Sequence, residues 1–282
     1  MLLLRSKVEK KTGAIETENE SISKEHKAYL RSLNREKRII KLAQFLILLL
    51  FISIWEITAR YGIIDTFLTS SPRAIAELIY KFAKDGSLFK HLLVSTQETI
   101  AGFFLGTIAG LLFAVILWWS EKTAKIVDPY LVILNSLPKT ALAPIIILWV
   151  GMGFTGIIVT AATISVIVTT ITIYTGFMSI ENDKIILLKT FGANKLQILK
   201  TVVIPANLPN IMSVIKVNIG LSWIGVIVGE FIVSKAGIGY LILYGSQVFK
   251  LDLVMMSVFV LAVVAALMYF LAAWLEKKII KY

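Results

Sequence analysis

"ILLKTFGANKLQILKTVVIPANLPN", residues 186–210, is a lysine-bearing polar segment with a glycine near its middle and two prolines at its end, set between long apolar stretches. The 282-residue chain is 57% hydrophobic and only 17% charged, against roughly 45–50% apolar and 25% charged residues in soluble domains. A mean hydropathy of +0.81 reads as a membrane protein, in which such a segment marks a place where the chain meets water. Zero Cys excludes disulfides, thiolate metal sites and iron–sulfur clusters, and the two histidines, His26 and His91, leave little for metal or acid–base chemistry.

Roughly 20 apolar residues cross a bilayer core as a helix, so long uncharged runs can be counted as spans. Six occur, at about 42–60, 95–118, 130–150, 156–178, 208–230 and 252–275. The expected fold class is therefore all-α, a polytopic membrane helical bundle of about six transmembrane helices. Glu56 falls near the end of the first run and Glu98 near the start of the second, positions expected at an interface.

Lysine and arginine flanks stay cytoplasmic. With the N-terminus inside, segments 1–41, 119–129, 179–207 and 276–282 carry 11, 2, 4 and 3 Lys or Arg, while the outside segments carry seven. Both termini and the quoted segment are thus expected in the cytoplasm, with residues 1–41 a basic, partly helical or disordered tail, 42–282 a transmembrane domain, and 179–207 its cytoplasmic loop. The net charge is +11, and 11 of the 29 Lys and Arg fall in that tail beside six acids, a juxtamembrane flank rather than a nucleic-acid patch. "MLLLRSK" at the start carries an apolar run shorter than the roughly 7–15 residues of a signal peptide, so the first long apolar stretch reads as an uncleaved anchor. Between the first two spans, "SPRAIAELIYKFAKDG" offers Ser71 as a cap, Pro72 in the first turn and Gly86 as a stop, an amphipathic helix on the outer face.

Gly102, Gly106 and Gly110 recur every fourth residue in the second span, a surface for close helix packing. In the third, Pro138 and Pro144 interrupt the backbone ladder with Lys139 between them, so this helix either kinks for packing or lines a path. "GMGFTG" at 151–156 has dinucleotide-fingerprint spacing, but flanking membrane spans make it a tight turn. No P-loop motif stands anywhere in the chain, and no Ser/His/Asp set or carboxylate pair suggests hydrolysis. Glu230 is an acid at the end of an apolar span, read first as a solvated helix-end residue and second as a group shaping the pathway or an outer gate. Pro138, Lys139, Pro144, Ser222 and Glu230 are the candidate pathway or gate residues.

The quoted segment itself reads as helix, glycine, helix, proline. Ser179 caps the first helix with Glu181 and Asp183 near its start, and Leu188, Phe191, Leu199 and Val202 lie on a common face. Gly192 permits a bend and Pro205 ends the second helix. Such a pair either packs on its own bundle or forms a socket piece for a soluble partner.

"FGANKLQILKTVVIPANLPN" resembles the cytoplasmic loop signature of binding-protein-dependent ABC importer permeases, in which Glu-Ala-Ala, three residues, Gly and nine residues precede Ile-x-Leu-Pro. Gly192 and, nine residues on, Val202, Val203, Ile204 and Pro205 fit it, whereas Ile186, Leu187 and Leu188 stand where Glu-Ala-Ala would be. "LPKTALAPIIILWVGMG", "IPANLPNI" and "SWIGVIVGEFIVSKAGIGYLI" are similar to the nitrate, sulfonate and taurine branch, which commonly has a basic residue where Glu98 stands here. The resemblance spans about 65–282. It implies a non-enzymatic permease subunit in a bacterial plasma membrane, paired with a second, usually identical permease. Two cytoplasmic ATPases that bind ATP and magnesium, and an extracytoplasmic solute-binding protein, complete the importer, and this chain holds no cofactor. It further implies that Leu187, Leu188, Lys189, Phe191, Gly192, Ala193, Asn194, Lys195 and Pro205 couple the ATPases to the bundle. The expected solute is an alkanesulfonate, taurine or nitrate. The rival readings are a pyrimidine, thiamine or other vitamin precursor on the same importer type, an ion-coupled secondary transporter, and a membrane scaffold whose loop docks a signalling protein.

Overall fold

Hydrocarbon offers backbone amides and carbonyls no partner, so a chain of apolar runs satisfies them within helices. The computed structural model follows that rule, with helices throughout and no strand among the described residues. It describes the backbone of residues 2–280, and the side chains of His26, Tyr29, Arg31, Ser32 and residues 35–280. The chain divides into two units, Met1–Ile64 and Asp65–Tyr282.

The first unit is one helix, α1 (Leu2–Arg60), so the backbone has no break at residue 41. Leu, Lys, Glu and Arg favour helix, and this stretch contains one glycine, Gly13, and no proline. Its described apolar part, Arg35–Arg60, is long enough to cross a membrane. Near its end Arg60 Nε pairs with Glu56 Oε1 at 3.2 Å.

The second unit opens with α2 (Thr66–Thr69) and α3 (Pro72–Lys84). Ser71 Oγ accepts from Ala74 N at 3.2 Å with Pro72 in the first turn, the cap expected from the sequence. After Gly86, α4 (Ser87–Trp119) runs 33 residues, about 50 Å at the helical rise. It begins two turns before the expected span because hydropathy registers only the apolar portion. Glu98 consequently lies inside the helix, 2% exposed, and is walled by protein instead of facing an interface.

The third expected span is two helices, α5 (Glu121–Ser136) and α6 (Ala143–Val150), joined through a 3-10 turn at Lys139–Leu142 and bent by 91°. The next helix, α7 (Phe154–Met178), decides whether this bent pair crosses the membrane. A Cβ built on Gly102 would meet Ala161, on Gly106 Ser165 and on Gly110 Thr169. Both helices advance four residues from one close approach to the next, so α4 and α7 run parallel. Successive crossings alternate in direction, so the α5–α6 pair completes a crossing between them.

The remaining elements are α8 (Asn182–Thr190), α9 (Lys195–Ile198), a π-helical turn at Leu199–Val203, α10 (Ile204–Ala206), α11 (Leu208–Val233), α12 (Ile238–Gln247) and α13 (Leu251–Ile279). Gly225 meets Ala161 and Gly229 meets Ile157, so α11 runs antiparallel to α7. Lys216 Nζ reaches Glu276 Oε2 at 2.8 Å, which ties α11 to α13 and gives the mid-span lysine a counter-charge. Residues 119–129, 179–207 and 276–280 therefore gather at one end of the unit. Ser87, Phe154, Val233 and Leu251 stand at the other.

Candidate functional site

The loop forms from local chemistry. Gly192, at φ +78°, turns the chain after α8, a left-handed conformation that side chains resist. Asn194 then starts α9 by a capping box, its Oδ1 accepting from Gln197 N at 2.9 Å while Gln197 Oε1 accepts from Asn194 N at 2.7 Å. Two sequence expectations are corrected here. Ser179 ends α7, donating to Gly176 O, and Glu181 precedes α8 in its place. Pro205 lies within continuing helix, because the π-helical turn before it shifts the hydrogen-bond ladder where Pro205 has no amide to donate.

One side of this segment is buried. Ile198, Leu199 and Val203 join Ala114 of α4, Ile173 and Phe177 of α7 and Val214 of α11 in a single apolar cluster, against which Leu188 and Ala193 also pack. The other side is open: Ile186, Leu187 and Leu196 are exposed, and Phe191 is 79% exposed. Of the expected anchors, Phe191 thus faces away from the bundle, and Leu188 and Leu199 face into it. A cavity of about 400 Å³ opens beside Lys189, Ala193, Lys195, Trp118 and Asn182.

Lys195 fastens the loop to the bundle. Its ammonium donates to Trp119 O at 2.5 Å and stands 5.7 Å from the ring centres of both Trp118 and Trp119. A cation at the carbonyl end of α4 interacts favourably with the helix dipole and with the indole faces. Displacing α9 therefore pulls on α4 through one charged contact, and on α7 and α11 through the apolar cluster.

The pathway candidates do not form one constellation. Lys139 is exposed and turns back to donate to Asn135 O at 3.0 Å and Asn135 Oδ1 at 3.2 Å. It satisfies one of the last carbonyls of α5, which have no amide partner within the helix. Pro144 sits in the first turn of α6, where its missing amide costs nothing. Ser222 and Glu230 lie on the buried face of α11.

Glu230 overturns the reading of a solvated helix-end residue, since it is fully buried. Its Oε1 accepts from Ser95 Oγ at 2.5 Å, and its Oε2 accepts from Gly239 N at 2.5 Å and Tyr240 N at 3.2 Å. Ser95 Oγ in turn accepts from Ile238 N at 2.7 Å, and His91 Nδ1 accepts from Gly237 N at 3.0 Å. The carboxyl caps the amino end of α12 and locks it to α4, the use a helix amino end makes of an acidic group. Gly237 at φ +125° brings the backbone so close that a Cβ there would collide with the Glu230 carboxyl.

A second buried network links Asn218 Nδ2 to Thr107 Oγ1 at 2.9 Å and Thr169 Oγ1 at 2.7 Å, joining α11, α4 and α7. Sequence reasoning passed over Asn218, Ser95, Trp118 and Trp119. An amide in mid-span was the available signal for the first. Nothing local distinguishes the other three.

Residues 102–281 match the family described as binding-protein-dependent transport system inner membrane component. A Haemophilus influenzae protein described as a probable ABC transporter permease is 30% identical, over 86% of this chain and 98% of its own length. The Bacillus subtilis protein described as a putative aliphatic sulfonates transport permease, SsuC, is 27% identical over 93% and 95%, and the Chloroflexus aurantiacus riboflavin transport system permease protein RibX 28% over 83% and 88%. The fold is that of a solved chain of the inward-facing methionine ABC transporter MetNI, with a TM-score of 0.60 and 19% identity, over 67% of this chain and 94% of that one. A bundle of membrane helices with a helical loop fastened to three of them, in a sequence that matches this family over most of its length, belongs to the binding-protein-dependent ABC transporter permeases.

Proposed function

We propose that this chain is the permease subunit of an ATP-driven importer of small organic anions, alkanesulfonates or taurine first among them, with nitrate in the same class. Two copies form the pathway in the plasma membrane of a bacterium, with both termini and the loop in the cytoplasm. Two ATPase subunits bind ATP and magnesium and grip the loop, and a solute-binding protein delivers cargo from outside. The chain itself supplies no cofactor and no catalytic residue.

One observation carries the coupling role. The exposed apolar face at Leu187 and Phe191 is continuous with a buried face, Ile198, Leu199 and Val203, that packs on α4, α7 and α11. A soluble subunit that seats the first face and moves on binding ATP transfers its differential contact energy to the second, the requirement for shifting a conformational equilibrium. Gly192, Ala193 and Asn194 set the angle between the two faces, Lys189 and Lys195 line the cavity beside them, and Pro205 hands the motion to α11. The end that carries the loop also holds Lys122, Lys125, Lys277 and Lys278 besides the loop's own lysines, which supports its cytoplasmic placement.

The sulfonate reading is supported by the likeness to the Bacillus subtilis sulfonate permease, nearly end to end. The likeness to the riboflavin permease supports a second reading, a vitamin or pyrimidine precursor. An ion-coupled carrier would need a titratable group open to the pathway, whereas both oxygens of Glu230 are occupied by Ser95 and α12, Glu98 against it is 2% exposed and Lys139 is held by Asn135. The test is reconstitution with the cognate ATPase and binding protein in vesicles. Uptake of labelled ethanesulfonate or taurine should require ATP and the ATPase, and uptake that persists without both refutes the importer reading. Uptake of a pyrimidine in place of the sulfonates selects the second reading.

A further inference from the structure

A cavity of about 590 Å³ lies at the end opposite the loop, between α3, the end of α12 and the start of α13. Its wall carries two cations, Lys81 and Lys250, two acids, Asp85 and Asp252, and the aromatic rings of Tyr244 and Phe249. Among the described residues no side chain pairs with Lys250 or Asp252, and none caps the amino end of α13 between them. Asp85 takes hydrogen bonds from Ser87 Oγ at 2.5 Å and Ser87 N at 2.9 Å. Those bonds, the hydroxyl first, hold its carboxyl below the usual range and so keep it charged.

Phe249 adds an independent sign. α12 ends with Lys250 N donating to Gly245 O at 2.8 Å and Phe249 N donating to Ser246 O at 3.3 Å. This terminus puts its last residue in the left-handed region, where glycine is the preferred occupant. Here that residue is a phenylalanine at φ +55°, with its ring 70% exposed at the mouth of the cavity. A left-handed backbone is costly for a residue with a side chain, and here it holds a large aromatic side chain at the cavity wall.

The helix α13, long enough to cross a membrane and apolar after its first turn, begins at the wall of this cavity, which sets the cavity near headgroup depth. Adjacent opposite charges with aromatic faces suit a ligand that carries both charges itself. Its ammonium would meet Asp252, Asp85 and the rings, and its oxyanion would meet Lys81, Lys250 and the uncapped amino end of α13. We infer that this cavity binds a small zwitterion that pairs an ammonium with a phosphate or sulfonate, a chemistry shared by the phosphoethanolamine headgroup of a membrane lipid and by free taurine.

Native mass spectrometry of the full-length protein, stripped of lipid and incubated with equal amounts of phosphatidylethanolamine and phosphatidylglycerol, tests this. The wild type should keep one phosphatidylethanolamine at least tenfold over phosphatidylglycerol, and Asp252→Asn should lower that ratio at least fivefold. Phe249→Gly should lower phosphatidylethanolamine retention severalfold without lowering the unfolding temperature, because glycine fits that backbone better; a merely structural phenylalanine would change neither preference nor retention. Release of the bound lipid by millimolar taurine or phosphoethanolamine supports the site with a soluble ligand as its source, and retention of the lipid against both supports it with the membrane as its source. Equal retention of the two lipids by the wild type, or unchanged retention in both variants, overturns the inference.

Discussion

Gly225→Ala tests the packing that joins the three central helices. A Cβ at this position would stand 2.4 Å from Ala161 Cα, 3.0 Å from Ala161 Cβ and 3.1 Å from Ala161 N. Carbon atoms rest comfortably at about 3.5–4.0 Å, so α11 must withdraw from α7 by about 1–1.5 Å. Ala161 is backbone here, with no rotamer to change, and α4 blocks retreat on its other side, because Gly102 allows the Ala161 methyl only the space a Cβ would fill. Gly220→Ala is the matched control: on the same helix, a Cβ at that position meets nothing within 4 Å. Both substitutions gain the same helix propensity, about 1 kcal/mol, so their difference isolates the steric cost. Overpacking of this kind costs about 1–3 kcal/mol, which at about 2–4 °C per kcal/mol for a large domain separates the two melting temperatures by roughly 2–12 °C. Thermal unfolding in nanodiscs, followed by tryptophan fluorescence, measures it. Ala161→Gly should restore part of the loss and not all, since it removes the methyl and leaves the backbone of α7 still too close. If Gly225→Ala melts at or above Gly220→Ala, the close approach of α11 and α7 is wrong.

Lys195→Ala should leave the ATPase associated and hydrolysing while transport falls at least tenfold, because it cuts the charged contact to Trp119 and leaves the outer apolar face intact; hydrolysis and uptake measured in the same vesicles decide it, and a parallel fall in both refutes the tether. Phe191→Ala should reduce ATPase copurification with less than about 1 kcal/mol change in stability, as expected for an exposed side chain, and unchanged recovery argues against Phe191 as an anchor. Glu230→Ala leaves the buried donors Gly239 N, Tyr240 N and Ser95 Oγ without an acceptor. At about 1–3 kcal/mol for each unsatisfied buried group, it should melt well below Glu230→Gln, which keeps an acceptor oxygen in place; equal melting of the two removes the capping role. Asp85 has a folded pKa below its unfolded value, so its hydrogen bonds to Ser87 support the start of α4 above about pH 4 and are lost as pH falls through the lower folded value. Amide exchange at Ser87 to Lys90, compared between pH 5 and pH 3 after correction for intrinsic rates, should report faster opening at pH 3.

Much of the loop was legible because its chemistry is local. Gly192 turns the chain through its own backbone freedom, and the alternation of apolar and lysine positions along α8 and α9 was visible in the sequence. The misplaced features were those that depend on what precedes or faces a residue. Ser179 could cap the helix after it or close the helix before it, and packing at the end of α7 chose the second. Pro205 has no amide, yet a π-helical turn upstream carried the helix past it. Glu230 stands where apolar residues give out, which read as a helix end in water; the chain instead folds back after Gly237 and seats α12 on its carboxyl.

Composition and the lengths of the apolar runs determined by themselves that this is a membrane bundle of about six spans, and the spacing around Gly192 and Pro205 pointed to its family. Those are properties of segments acting one at a time, because hydrocarbon burial and backbone satisfaction within a helix need no knowledge of neighbours. Only the tertiary structure decided that the broken third span completes its crossing, that Lys139 closes its own helix end, that Lys216 pairs with Glu276 and that Lys195 ties the loop to α4. Each of these rests on which two surfaces meet and in what register. A buried charge or a close glycine contact has meaning only once its partner is in place.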